Sequence, residues 1–266
     1  MILLIEPISK NIGMLVPACP LPLLEIAGYA KAKHPAADIE VVSVSMDYGL
    51  PLTSSGKKRV YASLLADISA KSPSGIGISC TAISQAEEAI ALADQIKARL
   101  PDVFLFFGGY FPTIYCEEVF TRTDAVDAIV SGEGEIPFAD IVDCLERGRD
   151  PRKNAVPGLV WRENGRTRRT PPPPRFDLKQ KVPLNLGLLR RPEDYDLLPY
   201  AFSRGCAFGC RFCMEDNIRP TRRSVPRRIF QKELAALQKQ VKADRLLACD
   251  ALFRSYDLMP LIRSLG

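Results

Sequence analysis

Three cysteines in the second half of the chain have a spacing that can bind an inorganic cluster. Cys206, Cys210 and Cys213 are separated by three and two residues, on a loop that directly follows a predicted strand. Three thiolates on one loop can bind three irons of a [4Fe–4S] cube and leave the fourth iron without a protein ligand. The open iron would then be the position at which a second molecule reacts.

Zinc is the alternative occupant of such a loop. A structural zinc site normally has four protein ligands, and the only histidine, His34, lies in the other half of the chain. The chain has no secretory signal and no apolar run near the roughly 20 residues of a membrane span. We therefore expect a cytoplasmic, reducing location, in which iron–sulfur binding is favoured over zinc, over disulfides and over three uninvolved cysteines.

The cysteine loop resembles that of the radical S-adenosylmethionine enzymes, whose C-x3-C-x-aromatic-C motif is matched here with Phe212 as the aromatic. The resemblance implies that S-adenosyl-L-methionine chelates the open iron and is cleaved, by one electron from the cluster, to a 5′-deoxyadenosyl radical. It also implies that Phe212 lies near the adenine and that Asp250, after the next predicted barrel strand, contacts S-adenosylmethionine. A carboxylate at that position can equally cap the following helix.

Arginines crowd around this loop in the sequence. They could contact the carboxylate of S-adenosylmethionine, an anionic substrate or RNA. No interleaved aromatic residues accompany them as a base-stacking platform, so we expect no nucleic-acid partner. These residues are Arg204, Arg211, Arg219, Arg222, Arg223, Arg227 and Arg228.

The elements that position these residues fall into two halves of opposite charge. Residues 1–150 have a net charge of −8, whereas residues 151–266 have a net charge of +13. A shift this large indicates a domain boundary. We predict an α/β domain over 1–150, a hairpin and linker over 151–195, and the start of a radical S-adenosylmethionine barrel over 196–266.

Short apolar runs alternate with helical patterns in the first half, which predicts a doubly wound, mostly parallel sheet with helices on both faces. The predicted strands are 1–5, 39–44, 75–79, 103–107 and 128–130. The predicted helices are 21–33, 57–69, 85–100, 115–120 and 137–147. This α/β arrangement is flavodoxin-like or Rossmann-like, and ligands of such sheets bind outside the carboxyl ends of the strands.

The second half begins with a hairpin over 157–170, which is predicted to turn at Asn164 and Gly165, because Asn-Gly suits a type I′ turn. A proline spacer and an aperiodic linker follow. The remaining predicted elements are strands over 199–204 and 245–249 and helices over 226–241 and 256–265. These are the first β/α units of a partial TIM-type barrel. A full barrel takes about 250 residues, so we expect a truncated, catalytically incomplete chain or one that borrows strands.

Loops rich in small residues follow three of the predicted strands. The first half resembles the cobalamin-binding domain of B12-dependent radical S-adenosylmethionine enzymes. The runs that carry this resemblance are Gly77-Ile-Ser, Gly108-Gly-Tyr-Phe-Pro-Thr and Ser131-Gly-Glu-Gly-Glu. Glycines in such loops let the backbone approach a bulky ligand, although tight turns use them as well. The cobalamin contacts implied by this resemblance are Ser79, Thr81, Gly108, Gly109, Gly132, Glu133 and Gly134.

The loop after the first strand lacks the histidine that binds cobalt in classical cobalamin mutases. It reads Glu6-Pro-Ile-Ser-Lys-Asn-Ile-Gly. The resemblance therefore implies cobalt without a histidine ligand below it, as is frequent in the radical branch. The alternative is a cobalamin-like fold without its cofactor.

These features predict a B12-dependent radical S-adenosylmethionine enzyme, acting in methyl transfer to, or rearrangement of, an unactivated carbon. Its expected partners are a small-molecule or peptide substrate and an electron donor such as flavodoxin or ferredoxin, with no membrane. Two alternatives stay open. One is radical chemistry without cobalamin, such as tRNA methylthiolation, and the other is a non-catalytic cofactor-binding fragment.

Overall fold

The computed structural model of the protein describes residues 1–8, 19–51, 53–195, 197–219, 221–240 and 246–252. The strands are β1 (Ile2–Glu6), β2 (Ile39–Ser43), β3 (Gly75–Ser79), β4 (Phe104–Gly108), β5 (Ala128–Val130), β6 (Leu159–Glu163), β7 (Arg166–Arg169), β8 (Leu198–Tyr200), β9 (Ser203–Arg204), β10 (Arg223–Ser224) and β11 (Leu246–Ala248). The helices are α1 (Leu21–Lys33), α2 (Val44–Tyr48), α3 (Ser54–Lys71), α4 (Ala86–Arg99), α5 (Tyr110–Ile114), α6 (Cys116–Arg122), α7 (Glu135–Glu146), α8 (Met214–Ile218) and α9 (Arg227–Gln240).

The main sheet has the strand order β2-β1-β3-β4-β5-β6-β7. Its first five strands are parallel, and their order is that of a flavodoxin-like doubly wound sheet. The predicted α/β fold class is therefore confirmed. In this order the chain reverses direction across the sheet between β1 and β3, so the carboxyl ends of the strands border a crevice.

Alternating side chains of the central strands bury both faces of this sheet. Leu4 and Phe106 pack with α1 and α7 on one face, whereas Ile5 and Phe107 pack with α3 and α4 on the other. Such burial on both faces explains why the strands read as nearly continuous apolar runs in the sequence. The two layers of helices hold the strand ends in fixed positions.

The hairpin is confirmed, and it extends the sheet. Asn164 and Gly165 have φ angles of 52° and 73°, as a type I′ turn requires, and β6 and β7 pair antiparallel on either side of them. The structure adds what the sequence did not predict, because β6 also pairs antiparallel with β5. The hairpin is therefore an edge of the first domain's sheet.

The segment after the hairpin differs from the predicted linker. Its apolar side chains are buried in the same core as α1 and α7, among them Phe176, Leu184 and Leu188. The segment forms short 3₁₀ turns, such as Leu178–Gln180 and Leu186–Leu188, rather than helices or long strands. Such turns have no repeating apolar period, so the pattern of the sequence resembled that of a loop.

The second region contains two small sheets. Strand β8 pairs with β11 in parallel, and α9 lies between them in the chain, as expected for a β/α unit. The strand predicted over 199–204 is instead interrupted, and its second part, β9, pairs antiparallel with β10. The helix predicted over 256–265 lies outside the described residues.

In the described part of the chain, no helix combines the length and the apolar character needed to cross a bilayer.

Candidate functional site

The strand-end loops that were predicted to contact cobalamin lie side by side at one edge of the sheet. Ser79 is the register partner of Gly108, and the Cys80 N–H donates to the Gly108 carbonyl at 2.8 Å. The Thr81 hydroxyl and backbone N–H both donate to the Gln85 side-chain carbonyl at 3.0 Å. The loop after β3 is thus held closed against the end of β4.

Gly109 is required by the conformation of the loop after β4. Its φ is +109°, and a Cβ at this position would lie 2.5 Å from the Cys80 carbonyl oxygen. The neighbouring Gly108 has nothing within 4 Å of the place where a Cβ would be. The loop therefore presents bare backbone to open space at Gly108, and we call this surface the cradle because a ligand can approach the backbone there.

Cys80 packs beneath this cradle. It is fully buried, and burial raises the pKa of its thiol to about 12. Cys80 is therefore protonated at neutral pH, and it is not available there as a thiolate ligand.

The sole histidine lies away from the cradle. His34 ends α1, and β2 begins five residues later at the amino edge of the sheet. The carboxyl ends of the parallel strands lie at the opposite edge. His34 is therefore not positioned to bind a cobalt held over the cradle. Residues 9–18 of the loop after β1 lie outside the described residues.

Glu133 was predicted to contact cobalamin, and the structure pairs it with arginines of the second region. Its Oε1 lies 3.4 Å from Arg204 and 3.5 Å from Arg219 and also accepts a hydrogen bond from Arg223. Its Oε2 accepts the Phe176 N–H at 2.9 Å. Burial alone would raise the pKa of Glu133, but Arg223 and Arg204 outweigh it and lower that pKa. The described contacts of this carboxylate are thus to protein groups.

Arg204, one residue before the Gly205-Cys206 step, makes the most enclosed of these contacts. Only 5% of its side chain is exposed, and it pairs with Glu25 at 2.8 Å and also with Glu135. Both glutamates belong to the first region. Arg204 therefore fixes the beginning of the cysteine loop to the cobalamin-binding-like domain.

Lys181 extends this arrangement to α9. It pairs with Glu25 at 3.1 Å and with Glu233 at 2.7 Å, and Glu233 also accepts the Tyr200 hydroxyl. Arg204 and Lys181 outweigh the effect of burial and lower the pKa of Glu25 to about 2. We call the whole set the interdomain charge network. It consists of Glu25, Glu133, Glu135, Lys181, Arg204, Arg219, Arg223 and Glu233.

The cysteine loop itself is open to solvent. Cys210 is exposed, Cys206 and Cys213 are half-buried, and the Phe212 side chain is 91% exposed. All eight cysteines of the chain lie within the described residues, and none forms a disulfide. Among those residues no three His, Cys, Asp or Glu side chains converge at metal-binding distances. The three cysteines as ligands, and Phe212 beside the adenine, stay predictions.

Gly205 sets the entry to this loop. It has a φ of +81°, and a Cβ at this position would lie 2.4 Å from the carbonyl oxygen of Thr221. Any other residue would therefore both strain the backbone and displace the segment after α8.

Glu215 joins the two ends of the loop to the cradle. Its Oε1 accepts the Gly205 N–H at 3.0 Å, just before Cys206, and the helix that carries it begins just after Cys213. Its Oε2 accepts the hydroxyl of Tyr110, the residue that follows Gly109. Arg219 also donates to the Tyr110 hydroxyl, at 3.0 Å. The cysteine loop is thereby closed at its base and attached to the loop after β4.

Asp250 supports the strand that leads into the loop. Its Oδ2 accepts the Phe202 N–H at 3.1 Å, and its Oδ1 accepts the Ser203 hydroxyl. These bonds place the carboxylate beside the segment that precedes the cysteines. A contact between Asp250 and S-adenosylmethionine stays a prediction.

Sequence reasoning missed Glu25, Glu215 and Lys181 as parts of the site. Glu25 lies 179 residues from Arg204, so no local pattern connects them. Glu215 lies only two residues after Cys213, but a single acidic residue at the start of a short helix is ordinary in composition. Only the paired burial of opposite charges identifies these residues.

The residues present fit both expected cofactors. Three thiols on one accessible loop are a suitable donor set for three irons of a cluster. At the strand ends, the bare backbone of Gly108 faces open space, and Gly109 lets the loop pack against the Cys80 carbonyl. The two sets lie on segments that Glu215 and the interdomain charge network hold together.

Similarity to known proteins agrees with this geometry. Residues 20–142 match the family model of the B12-binding domain. The structure aligns with that of the cobalamin-dependent S-adenosylmethionine radical enzyme OxsB, with aqua-cobalamin and S-adenosylmethionine bound, at a TM-score of 0.75 and 19% identity, covering 95% of this chain and 34% of OxsB. At this identity the alignment demonstrates a shared fold.

Curated relatives include two named enzymes. The chain is 29% identical over 222 residues to an anaerobic magnesium-protoporphyrin IX monomethyl ester cyclase of Synechocystis, covering 80% of this chain and 42% of the relative. It is 30% identical to the hopanoid C-3 methylase of Methylococcus capsulatus, covering 58% and 30%. An uncharacterized methyltransferase of Pyrococcus horikoshii is 32% identical, covering 53% and 31%.

The chain spans less than half the length of each of these relatives. The predicted resemblance is nevertheless confirmed in both parts of the chain. Residues 20–142 match the B12-binding domain model, and 95% of the chain shares the fold of a cobalamin-dependent radical S-adenosylmethionine enzyme.

Proposed function

We propose that this chain belongs to an enzyme that uses cobalamin, a [4Fe–4S] cluster and S-adenosylmethionine to transfer a methyl group to, or rearrange, an unactivated carbon. The observation that carries the proposal is the attachment of the cysteine loop to the cobalamin cradle through Glu215 and Tyr110. A radical made at the cysteine loop can act together with cobalamin in the cradle only if both sites face the same substrate.

In this proposal Cys206, Cys210 and Cys213 bind the cluster, and Phe212 covers the adenine. Phe212 is exposed enough to move onto a bound ligand. Asp250 keeps the Phe202–Ser203 segment in place. The cluster would supply the electron that cleaves S-adenosylmethionine, and cobalamin would supply the methyl group.

The cradle residues would hold cobalamin by backbone approach and by hydrogen bonds. Gly108 would admit the ligand, Gly109 would keep the loop packed against Cys80, and Ser79 and Thr81 would border the ligand with hydroxyls. Gly132 and Gly134 place the loop after β5 at the same edge of the sheet. Glu133 would border the cofactor on this loop while its carboxylate anchors Arg204, Arg219 and Arg223.

The proposed partners are an electron donor such as flavodoxin or ferredoxin and a small-molecule or peptide substrate. Arg211, Arg227 and Arg228 are exposed, and a basic surface near the cluster suits an acidic electron carrier. Arg204, Arg219 and Arg223 contact glutamates of the first region, so their charge already has partners.

Anaerobic reconstitution with iron and sulfide, followed by absorption spectroscopy with hydroxocobalamin present, tests the proposal. The chain should bind about four irons and about four sulfides and retain the corrin. Cys206→Ala, Cys210→Ala and Cys213→Ala should each lose the cluster. Cys249→Ala changes an exposed cysteine outside the motif and should keep it.

Two results would contradict the proposal. Tight binding of one zinc without an iron chromophore would exclude the radical chemistry. A normal cluster with no retained corrin would instead favour radical chemistry without cobalamin.

A further inference from the structure

A cavity lies between the two regions, beside the site described above. It has a volume of about 340 Å³, and its walls come from three segments. These are the loop after β5 with Thr113 of α5, the run Pro172 to Arg175 after the hairpin, and a group after the cysteine loop that consists of Ile218, Arg219, Thr221 and Arg223. Each segment belongs to a different part of the chain, so the cavity exists only when the two regions are docked.

The charged groups that line this cavity are unbalanced. Three arginines, Arg175, Arg219 and Arg223, face a single carboxylate, Glu133. Glu133 contacts Arg219 and Arg223 but not Arg175. Arg175 is exposed to solvent at the cavity wall, and in the described part of the chain no hydrogen bond or ion pair engages its side chain. The lining therefore carries an excess of positive charge.

One buried hydrogen-bond donor at the cavity also lacks an acceptor. The Nε atom of Arg223 is buried and makes no hydrogen bond, whereas the Nε atom of Arg219 lies 3.5 Å from Glu133 Oε1. A buried donor without an acceptor is costly, so such groups indicate where a ligand supplies the missing acceptor. Thr221 contributes a hydroxyl group to the same wall. Guanidinium groups with free donors match the paired oxygens of a carboxylate or a phosphate.

We propose that this cavity binds an oxyanion, the carboxylate or phosphate group of a ligand held between the two regions, and that Arg175 is its main cationic contact. The assignment of that ligand to the reaction rests on the proposed function, whereas the binding of an anion does not. Because the cavity adjoins the cradle, the oxyanion is either the nucleotide phosphate of cobalamin or an acidic group of the substrate.

Titration of the chain with inorganic phosphate and with succinate tests the binding site. Ionic strength is held constant with sodium chloride, and neither cluster nor cobalamin is added, so failure of the radical chemistry would not affect the result. Binding is followed by equilibrium dialysis and by the midpoint of thermal unfolding. We expect saturable binding of at least one anion, weakened about tenfold or more by Arg175→Ala, the loss typical of a charge-assisted hydrogen bond.

Two further variants control for net charge and for folding. Arg59→Ala removes an exposed arginine of α3, far from the cavity in the fold, and should leave binding unchanged. Arg175→Lys keeps the charge and should restore part of the affinity. Equal binding by the natural chain and Arg175→Ala, or an equal loss in Arg59→Ala, would overturn the proposal.

The source of the oxyanion is distinguished by two corrins. Hydroxocobalamin has the nucleotide phosphate, and dicyanocobinamide lacks it. If Arg175→Ala weakens binding of hydroxocobalamin but not of dicyanocobinamide, the cavity holds the phosphate of the cofactor. If the variant binds both corrins normally but has lost phosphate or succinate, the cavity holds an acidic group of the substrate.

Discussion

The cradle and the cysteine loop are held in place by different forces. The cradle follows strands whose side chains are buried on both faces of the sheet, and its shape depends on Gly109 and on backbone hydrogen bonds to Cys80. The cysteine loop has exposed side chains such as Phe212, and charged groups fix only its base. Apolar packing therefore preforms one site, whereas the other is anchored only at its ends.

This difference has a thermodynamic consequence. A loop that is ordered by its metal gains stability when the metal binds, because binding free energy becomes folding free energy. The cradle gains less, since its backbone is already constrained. The interdomain charge network joins the preformed cradle to the cysteine loop. Substitutions in this network therefore test the comparison between the two sites most clearly.

The largest expected effect is that of Arg204→Ala. This change leaves Glu25, Glu133 and Glu135 buried around a lost cation, and removal of one partner of a buried ion pair costs about 3–5 kcal/mol. Urea denaturation should show that loss in the free energy of unfolding. Arg59→Ala, at an exposed position, should change it little. A stable Arg204→Ala protein would show that the network does not hold the two regions together.

The charge network was largely beyond prediction from the sequence, whereas the sheet was not. Strands such as β1 and β4 are short apolar runs, and the turn at Asn164 follows from local conformational preference. The arginines near the cysteines were visible as charge, but their partners were not. Glu25 lies 179 residues from Arg204, and only the folded chain brings them together.

Acid should weaken the same anchor. The pKa of Glu25 is lowered from 4.5 to about 2, so its stabilising contribution is complete above pH 4.5 and is lost as the pH falls toward about 2. Glu25→Gln should therefore flatten the dependence of the unfolding midpoint on pH within this window. Glu133, whose pKa is also lowered, should keep part of the slope.

The matched control for this measurement is Glu163→Gln, which alters a surface ion pair that is about half exposed. Its stability should follow the pH dependence of the natural chain. If Glu25→Gln kept the full slope below pH 4.5, the carboxylate would not be the charged anchor that the geometry indicates.

A smaller effect is expected from glycine substitutions. Gly205→Ala adds a Cβ at a φ of +81° and 2.4 Å from a carbonyl oxygen, whereas Gly148→Ala has a φ of +64° and open space around it. Both changes strain the backbone by about 1–3 kcal/mol, but only the first also displaces the segment beside the cysteines. Iron content after reconstitution should fall in Gly205→Ala and stay normal in Gly148→Ala. Equal iron content in both would show that the loop entry does not position the cluster.

Electron paramagnetic resonance of one anaerobic sample that contains both Co(II) cobalamin and the reduced cluster tests the central claim most directly. The account predicts a cobalt signal without splitting from a histidine nitrogen, a cluster signal that changes when S-adenosylmethionine is added, and faster relaxation of the cobalt spin when the cluster is reduced. Nitrogen splitting that disappears in His34→Ala would contradict the expected absence of a histidine ligand. A cobalt signal insensitive to reduction of the cluster would contradict the claim that the two sites face each other.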